Sequence, residues 1–309
     1  MPPSPHKGRG AASAPQGRFA VQQTELDADE DDRRLSVAPE TVIKAMPAGK
    51  IISRNDSPDI PFAQLLDKWQ KPAYVCKAIT IGANTDPYQP AEKSLGITRQ
   101  LLQQFAEYRH PVNLITKSHL VVRDIDLLAD LAKDRLCSVA ISIPTMNPDL
   151  KRVMEPRVPS SNARLKAARR LSDAGVPVSV LVAPIIPAIN DDEIEAILDA
   201  AASAGITQAR YIFLRLPHEL KSLFDEWLNH HFPDRAAHVM SLVRQASGGK
   251  TYDARFGRRQ TGRGPYAEML AARFRKAAKA LQLDPGSYQQ RLDCTRFLHP
   301  ARRQLGLDV

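Results

Sequence analysis

The sequence predicts an α/β protein built on a parallel sheet, and three observations predict it. Five short β-branched runs recur at intervals of about 25–40 residues, each long enough for a crossover helix. Helical periods fill the gaps between them. The runs are apolar nearly throughout, as strands covered on both faces must be. Right-handed β–α–β crossovers follow, and both an open doubly wound sheet and a barrel satisfy the pattern.

The elements follow in chain order. Residues 1–42 are rich in Pro, Ala, Gly, Ser and Gln and then acidic (ELDADEDD), so they are expected to form a disordered tail. A strand is expected over 75–82 (VCKAITIG), then a helix over 98–108 with Leu101, Leu102, Phe105 and Tyr108 on one stripe. The strand 112–116 (VNLIT) precedes a helix over 124–134 opened by Asp124 and carrying Ile125, Leu128 and Leu131. The strand 138–143 (SVAISI) precedes a helix over 160–174, capped by Ser160 or Ser161 and stopped by Gly175. The strand 178–183 (VSVLVA) precedes a helix over 191–204, capped by Asn190 or Asp191 and stopped by Gly205. The last strand is 209–214 (ARYIFL). Helices are expected over 219–231, 233–246 and 265–282, with a Gly-rich link at 247–264. This divides the chain into a tail (1–42), an α/β barrel or sheet (43–217) and a helical, basic region (218–309).

Composition excludes several classes. Hydrophobic residues make up 43% and charged residues 25%, which rules out whole-chain disorder, collagen and coiled coil. No run of 18 apolar residues exists, so no membrane span is expected. The first residues lack a signal-peptide core, and a cytoplasmic location is expected. The three cysteines, Cys76, Cys137 and Cys294, lie far apart, which excludes a disulfide framework and any Cys-x-x-Cys motif. The net charge is +9, and residues 250–309 carry 13 Lys and Arg against 5 Asp and Glu. Such a tail favours phosphate-rich partners. Aromatic residues are only 6%, which gives little for base stacking.

Parallel α/β folds place their sites at the C-terminal ends of the strands. The strand ends here read Gly82 to Pro90 with Glu92, then Thr116-Lys117-Ser118 with Arg123 and Asp124. They continue with Ser142, Pro144, Thr145 and Glu155, then Ala183-Pro184-Ile185-Ile186-Pro187 with Asn190, and finally Arg215-Leu216-Pro217. Lysine there suits a carboxylate or phosphate, aspartate an amine or a ribose hydroxyl, and the carbonyls of Pro184 and Pro187 an amino group. Each end alone is ordinary turn chemistry; four together point to a ligand site.

Several strings are more specific. SRNDSPDIPF (53–62), TDPYQPAE (85–92), LITKSHLVVRDIDLL (114–128), MEPR (154–157), RLSDAGVPVSVLVAPIIPAIND (170–191), LRLP (214–217) and KTYDARFG (250–257) resemble a bacterial branch of the radical S-adenosylmethionine (SAM) superfamily. That branch is similar to spore photoproduct lyase. The resemblance runs in order from about Ile51 to about Leu283 and implies a partial (β/α)6 barrel, bound SAM and a 4Fe-4S cluster. Carried over by position, Asn84, Thr85 and Asp86 would grip the SAM amino-acid end and Lys117 its carboxylate. Ser142 would face the ribose, and Pro184 and Ile185 would lie along the adenine.

The chain also departs from the family. The Cys-x3-Cys-x2-Cys cluster motif should follow Ile60-Pro61-Phe62. Instead Phe62 runs straight into Ala63-Gln64-Leu65-Leu66-Asp67-Lys68-Trp69-Gln70-Lys71-Pro72, which resembles the end of the first barrel helix. The barrel is therefore expected to lack its first strand and cluster loop, leaving an open edge, no metal ligand and no assigned catalytic residue. Ala188 stands where the family has Gly, and is compatible with a turn if its φ is negative. Pro144 stands where the family has Thr or Ser. Three readings follow: a pseudoenzyme that still binds SAM; an intact radical SAM enzyme altered at the gene-model level; and a nucleic-acid-binding protein that uses residues 250–309.

Overall fold

The computed structural model describes residues 43–44, 51–52, 65–83, 85–216, 220–249, 260–284 and 292–301. The expected tail, the strings 53–62 and 250–257, and Asn84 lie outside these residues. A short antiparallel pair joins β1 (Ile43–Lys44) to β2 (Ile51–Ile52). The centre is a five-stranded parallel sheet: β3 (Ile79–Ile81), β4 (Val112–Thr116), β5 (Cys137–Ser142), β6 (Val178–Ile185) and β7 (Gln208–Phe213). Their order in space is their order in sequence.

Helices alternate with these strands, so the sheet is a run of β–α–β units in a partial barrel. They are α1 (65–69), α2 (Glu92–Leu95), α3 (Ile97–Glu107), α4 (Ile125–Lys133), α5 (Pro148–Met154), α6 (Ser161–Asp173) and α7 (Ile194–Ser203). α3 buries Leu101, Leu102 and Phe105, the stripe its period predicts. Ser160 caps α6, its Oγ accepting from the Ala163 amide, and Gly175 and Gly205 follow their helices at φ 79° and 78°.

Three local expectations change. The first strand is only three residues long, and 75–78 precede it as coil. Asp124 opens α4 without capping it, because its buried carboxylate is held by Arg99 and Arg123. Asn190 opens a single 3-10 turn, and its side chain is used elsewhere.

After β7 the chain forms α8 (Leu220–His231), α9 (Pro233–Ala246) and α10 (Gly264–Ala280). α10 packs against the barrel, with Leu270, Phe274 and Ala278 in the main core. α8 and α9 build a second apolar cluster with α5 and the ends of β6 and β7, around Met154, Ile186, Leu214, Phe224 and Trp227. At the opposite end of the sheet, Trp69 stacks on His110 at 4.6 Å, and Phe297 of the C-terminal segment closes edge-on against both. Among the described residues no helix is long and apolar enough to cross a membrane.

Candidate ligand site at the strand ends

Gly82 sets the geometry where β3 ends. Its φ is +94°, and a Cβ there would lie 2.0 Å from the Ile115 carbonyl oxygen. Only glycine lets the end of β3 approach β4 this closely. The loop that follows is fixed by Asp86. Its Oδ1 accepts from Thr116 Oγ1 (2.6 Å) and from the Tyr88 amide (2.9 Å), and Oδ2 accepts from the Lys117 amide (2.7 Å). Burial raises its pKa, and these donors act against that rise. Asp86 therefore locks the β3 loop to the end of β4, so its carboxylate is already occupied.

Lys117 emerges from that lock into a cavity of about 370 Å³, near the lower bound for small-molecule sites. Its Nζ meets Glu155 Oε1 at 2.5 Å. The other Glu155 oxygen accepts from Arg164 Nη2 at 2.6 Å. Arg164 is fully buried and also donates to the carbonyls of Ser142 (2.8 Å) and Pro159 (3.0 Å). Burial alone would raise the Glu155 pKa; the charges of Arg164 and Lys117 outweigh it and hold the group at about 2. Two cations thus face the Glu155 carboxylate at the mouth of β4 and β5, with the Asp86 carboxylate next to Lys117 on the β3 side.

The loops after β5 and β6 are joined by Asn190. Its Oδ1 accepts from the Ile186 amide (2.6 Å), and Nδ2 donates to the carbonyls of Pro144 (2.7 Å) and Pro184 (3.0 Å). The Pro184 carbonyl, expected to be open for an amino group, is therefore already engaged. Ser142 Oγ donates to the Ala183 carbonyl at 3.2 Å, across the same two strand ends. Ala188 has φ +57°, outside the negative range on which its fit to a turn was conditional, so it occupies a glycine conformation with a side chain attached.

The cavity gathers part of the expected set. Gly82, Thr116, Lys117, Ser142, Glu155, Pro184 and Arg215 line it. Thr85 and Asp86 sit in the adjoining loop outside the lining, and Ile185 points into the core while Ile186 faces the cavity. Glu92, Arg123 and Asp124 form a separate ion network with Arg99 behind the β3 loop. Residues that sequence reading did not weigh as ligand contacts are Met154, Leu214, Phe224 and Trp227, which form the apolar wall. Arg164 was also missed. Its signal is its place on the stripe of Ala167, Ala168 and Leu171, where an apolar residue belongs.

The cysteines do not assemble. Cys137 is buried at the start of β5, its Sγ donating to the Leu128 carbonyl. Cys76 lies just before β3, beside Cys294. Burial pushes the Cys76 and Cys137 thiols up to about 12, away from the thiolate that binds metal. Among the described residues no three His, Cys, Asp or Glu side chains come together as a metal site. These residues do not fit an iron–sulfur cluster, which needs several thiolates at one place.

A parallel partial barrel with its cavity at the strand mouths defines the class of protein. Residues 51–201, just under half of the chain, match the family model of the radical SAM superfamily. It is 30% identical over 185 residues to the uncharacterized protein Rv2578c of Mycobacterium tuberculosis, covering 59% of this chain and 54% of that one. It is 32% identical over 115 residues to the uncharacterized protein MJ0683 of Methanocaldococcus jannaschii, covering 37% and 43%. The chain spans about half the length of the curated relatives it matches. Among solved structures, it superimposes on spore photoproduct lyase complexed with dinucleoside spore photoproduct at TM-score 0.57 and 15% identity, over 89% of this chain and 85% of that one. A mutant of that lyase with bound AdoMet and the same dinucleoside gives TM-score 0.55 and 17% identity, over 75% and 66%. These likenesses establish a shared fold.

Proposed function

We propose that this chain binds SAM, or a closely similar nucleoside, in the strand-end cavity, and that it does not cleave SAM reductively. One observation carries the first half. The cavity at the mouths of β3 to β7 joins a cation, Lys117, to Ser142 and Pro184 on neighbouring strand ends. In this reading Lys117 orients the ligand carboxylate, and Glu155 with Arg164 holds the ammonium in place beforehand. Ser142 and Pro184 flank the sugar and the base, and the apolar wall excludes water. The second half rests on the thiols. The sequence has three cysteines, and none of them stands in the family's cluster spacing. Within the family the cluster supplies the electron for SAM cleavage; here no step is assigned to it. The chain then acts as a pseudoenzyme in the cytoplasm.

The test is calorimetric titration with SAM, paired with anaerobic reconstitution with iron and sulfide. Lys117→Met should weaken SAM binding at least about tenfold, the usual cost of a hydrogen bond to a charged group. No iron should remain bound. An unchanged affinity would overturn the assignment of Lys117. Stoichiometric iron with a cluster absorption band would overturn the pseudoenzyme reading.

The basic region supports a second reading, nucleic-acid binding through residues 250–309. It requires duplex affinity that falls steeply with salt and weakens when Arg258, Arg259 and Arg263 become Ala.

A further inference from the structure

We infer that Cys76 and Cys294 are a redox pair, two thiols that a glutathione-type disulfide converts into one intramolecular bridge fastening the C-terminal segment to the chain that enters β3. The inference is independent of what binds at the strand mouths. It starts from register. Residues 71–76 and 294–299 pass each other in opposite directions, at the end of the sheet away from the cavity. His299 Nε2 meets the Lys71 carbonyl at 3.3 Å. Further along, the Tyr74 ring meets that of Phe297 at 5.5 Å, edge to face. The next pairing in this order sets Cys76 against Cys294, and one thiol lies within hydrogen-bonding reach of the other. Any small apolar residue would serve packing alone; two facing thiols also carry chemistry.

The surroundings hold this pairing in place. The Asp293 amide donates to the Arg135 carbonyl (3.0 Å), and the Leu298 amide to the Tyr108 carbonyl (2.9 Å). The backbone is therefore pinned on both sides of Cys294. Arg135 also pairs with Asp293, and Arg296 with Asp134. Thiols already in contact need only side-chain rotation to reach bonding geometry. Cys76 and Cys294 are both partly exposed, so a small oxidant reaches them, whereas Cys137 is buried. Burial and the neighbouring Cys294 push the Cys76 thiol up to about 12, which leaves Cys294 to attack first. Cys294 Sγ loses its proton and displaces one half of the small disulfide, which leaves as a thiol. Cys76 Sγ then loses its proton, attacks the mixed disulfide at Cys294 and releases the second half as a thiol. Two protein thiols are oxidised, and one small disulfide takes up their two electrons and two protons. The bridge closes a loop that holds the whole five-stranded sheet and α10, and in the chain-entropy account long loops gain most from closure.

The full chain is reduced, freed of reductant under nitrogen and incubated with oxidised glutathione. Its tryptic peptides are then read by mass spectrometry without reduction. Trypsin places Cys76 on Trp69–Lys77 and Cys294 on Leu292–Arg296, so the bridge appears as one linked pair. Native protein should yield that pair, with Cys137 left free. In urea, where the register is lost, bridges that include Cys137 should appear as well. Oxidation should raise the thermal midpoint of the native chain by at least about 5 °C. Cys76→Ser and Cys294→Ser should each leave the midpoint unmoved by oxidation, and Cys76→Ser should hold a single glutathione on Cys294. Glutathione adducts on both cysteines without a link, bridges between chains, or the same mixture of bridges in native protein as in urea would overturn the inference. So would a linked pair that leaves the midpoint where it was, because the bridge would then fasten nothing.

Discussion

Glu155 is the residue on which the cavity's electrostatics turn. Its carboxylate faces two cations, Lys117 and Arg164, and Arg164 is fully buried. Removing one member of a buried ion pair strands the others without compensation. Glu155→Gln keeps the shape and removes the charge, so it should lower the urea-unfolding free energy at neutral pH by about 3 kcal/mol. A loss under about 1 kcal/mol would mean that Arg164 is satisfied by its carbonyl partners alone. The residue scale is also where the sequence said least. Lys117 and Ser142 were legible because each ends an apolar strand. Arg164 was not, because an arginine inside a helix reads as surface until its partner is known. Asp86 was legible as polar and well placed, but not as saturated by three donors. Sequence position gives the address of a side chain and not what it is already bound to.

At the scale of elements, the strands and long helices came through clearly, since apolar runs and 3.6-residue stripes are set by burial on a sheet. β4 was expected at 112–116 and is found there. The short pieces did not come through: α2 has four residues and α5 seven, too few for a period to show. Helix ends marked by glycine were readable, while α3 and α4 are followed by Arg109 and Arg135 at φ 50° and 57°, which carry no such mark. The loop after β6 makes a testable case. Ala188 holds φ +57° where glycine would do so without a steric penalty. Ala188→Gly should stabilise the protein by about 0.5–1 kcal/mol, the relief of strain less the added freedom of the unfolded chain. Thermal melts would read this as a raised midpoint; a lowered one would mean that the methyl group packs better than its backbone fits.

The whole molecule is tied together at the end of the sheet away from the cavity. There α1, α3, the start of β4 and the C-terminal segment meet around His110. Its Nδ1 faces the Pro111 carbonyl, an acceptor, so that nitrogen carries the proton, and Nε2 accepts from the Tyr74 hydroxyl at 2.8 Å. Burial lowers its pKa from 6.5 to about 4, outweighing the Pro111 hydrogen bond. The unfolded chain then binds one more proton than the native state between about pH 6.5 and 4, so stability falls as pH drops through that window. The contribution of His110 to that fall is of order 3 kcal/mol. Urea unfolding at pH 7.5 and 4.5 should show this loss, and His110→Phe should flatten it.

The sheet order β3-β4-β5-β6-β7 has one more consequence. Among the described residues each strand of this sheet pairs with its chain neighbours, and β7 adds one isolated bridge from Gln208 to Asp284. As the polypeptide leaves the ribosome, each strand after β3 therefore finds a template already made. A change at β3 disturbs one ladder and leaves the three later registers intact. Under mechanical pull, force at the C-terminal end should first load the contacts of residues 292–301 with α3, α4 and His110, and only then reach the β7 ladder.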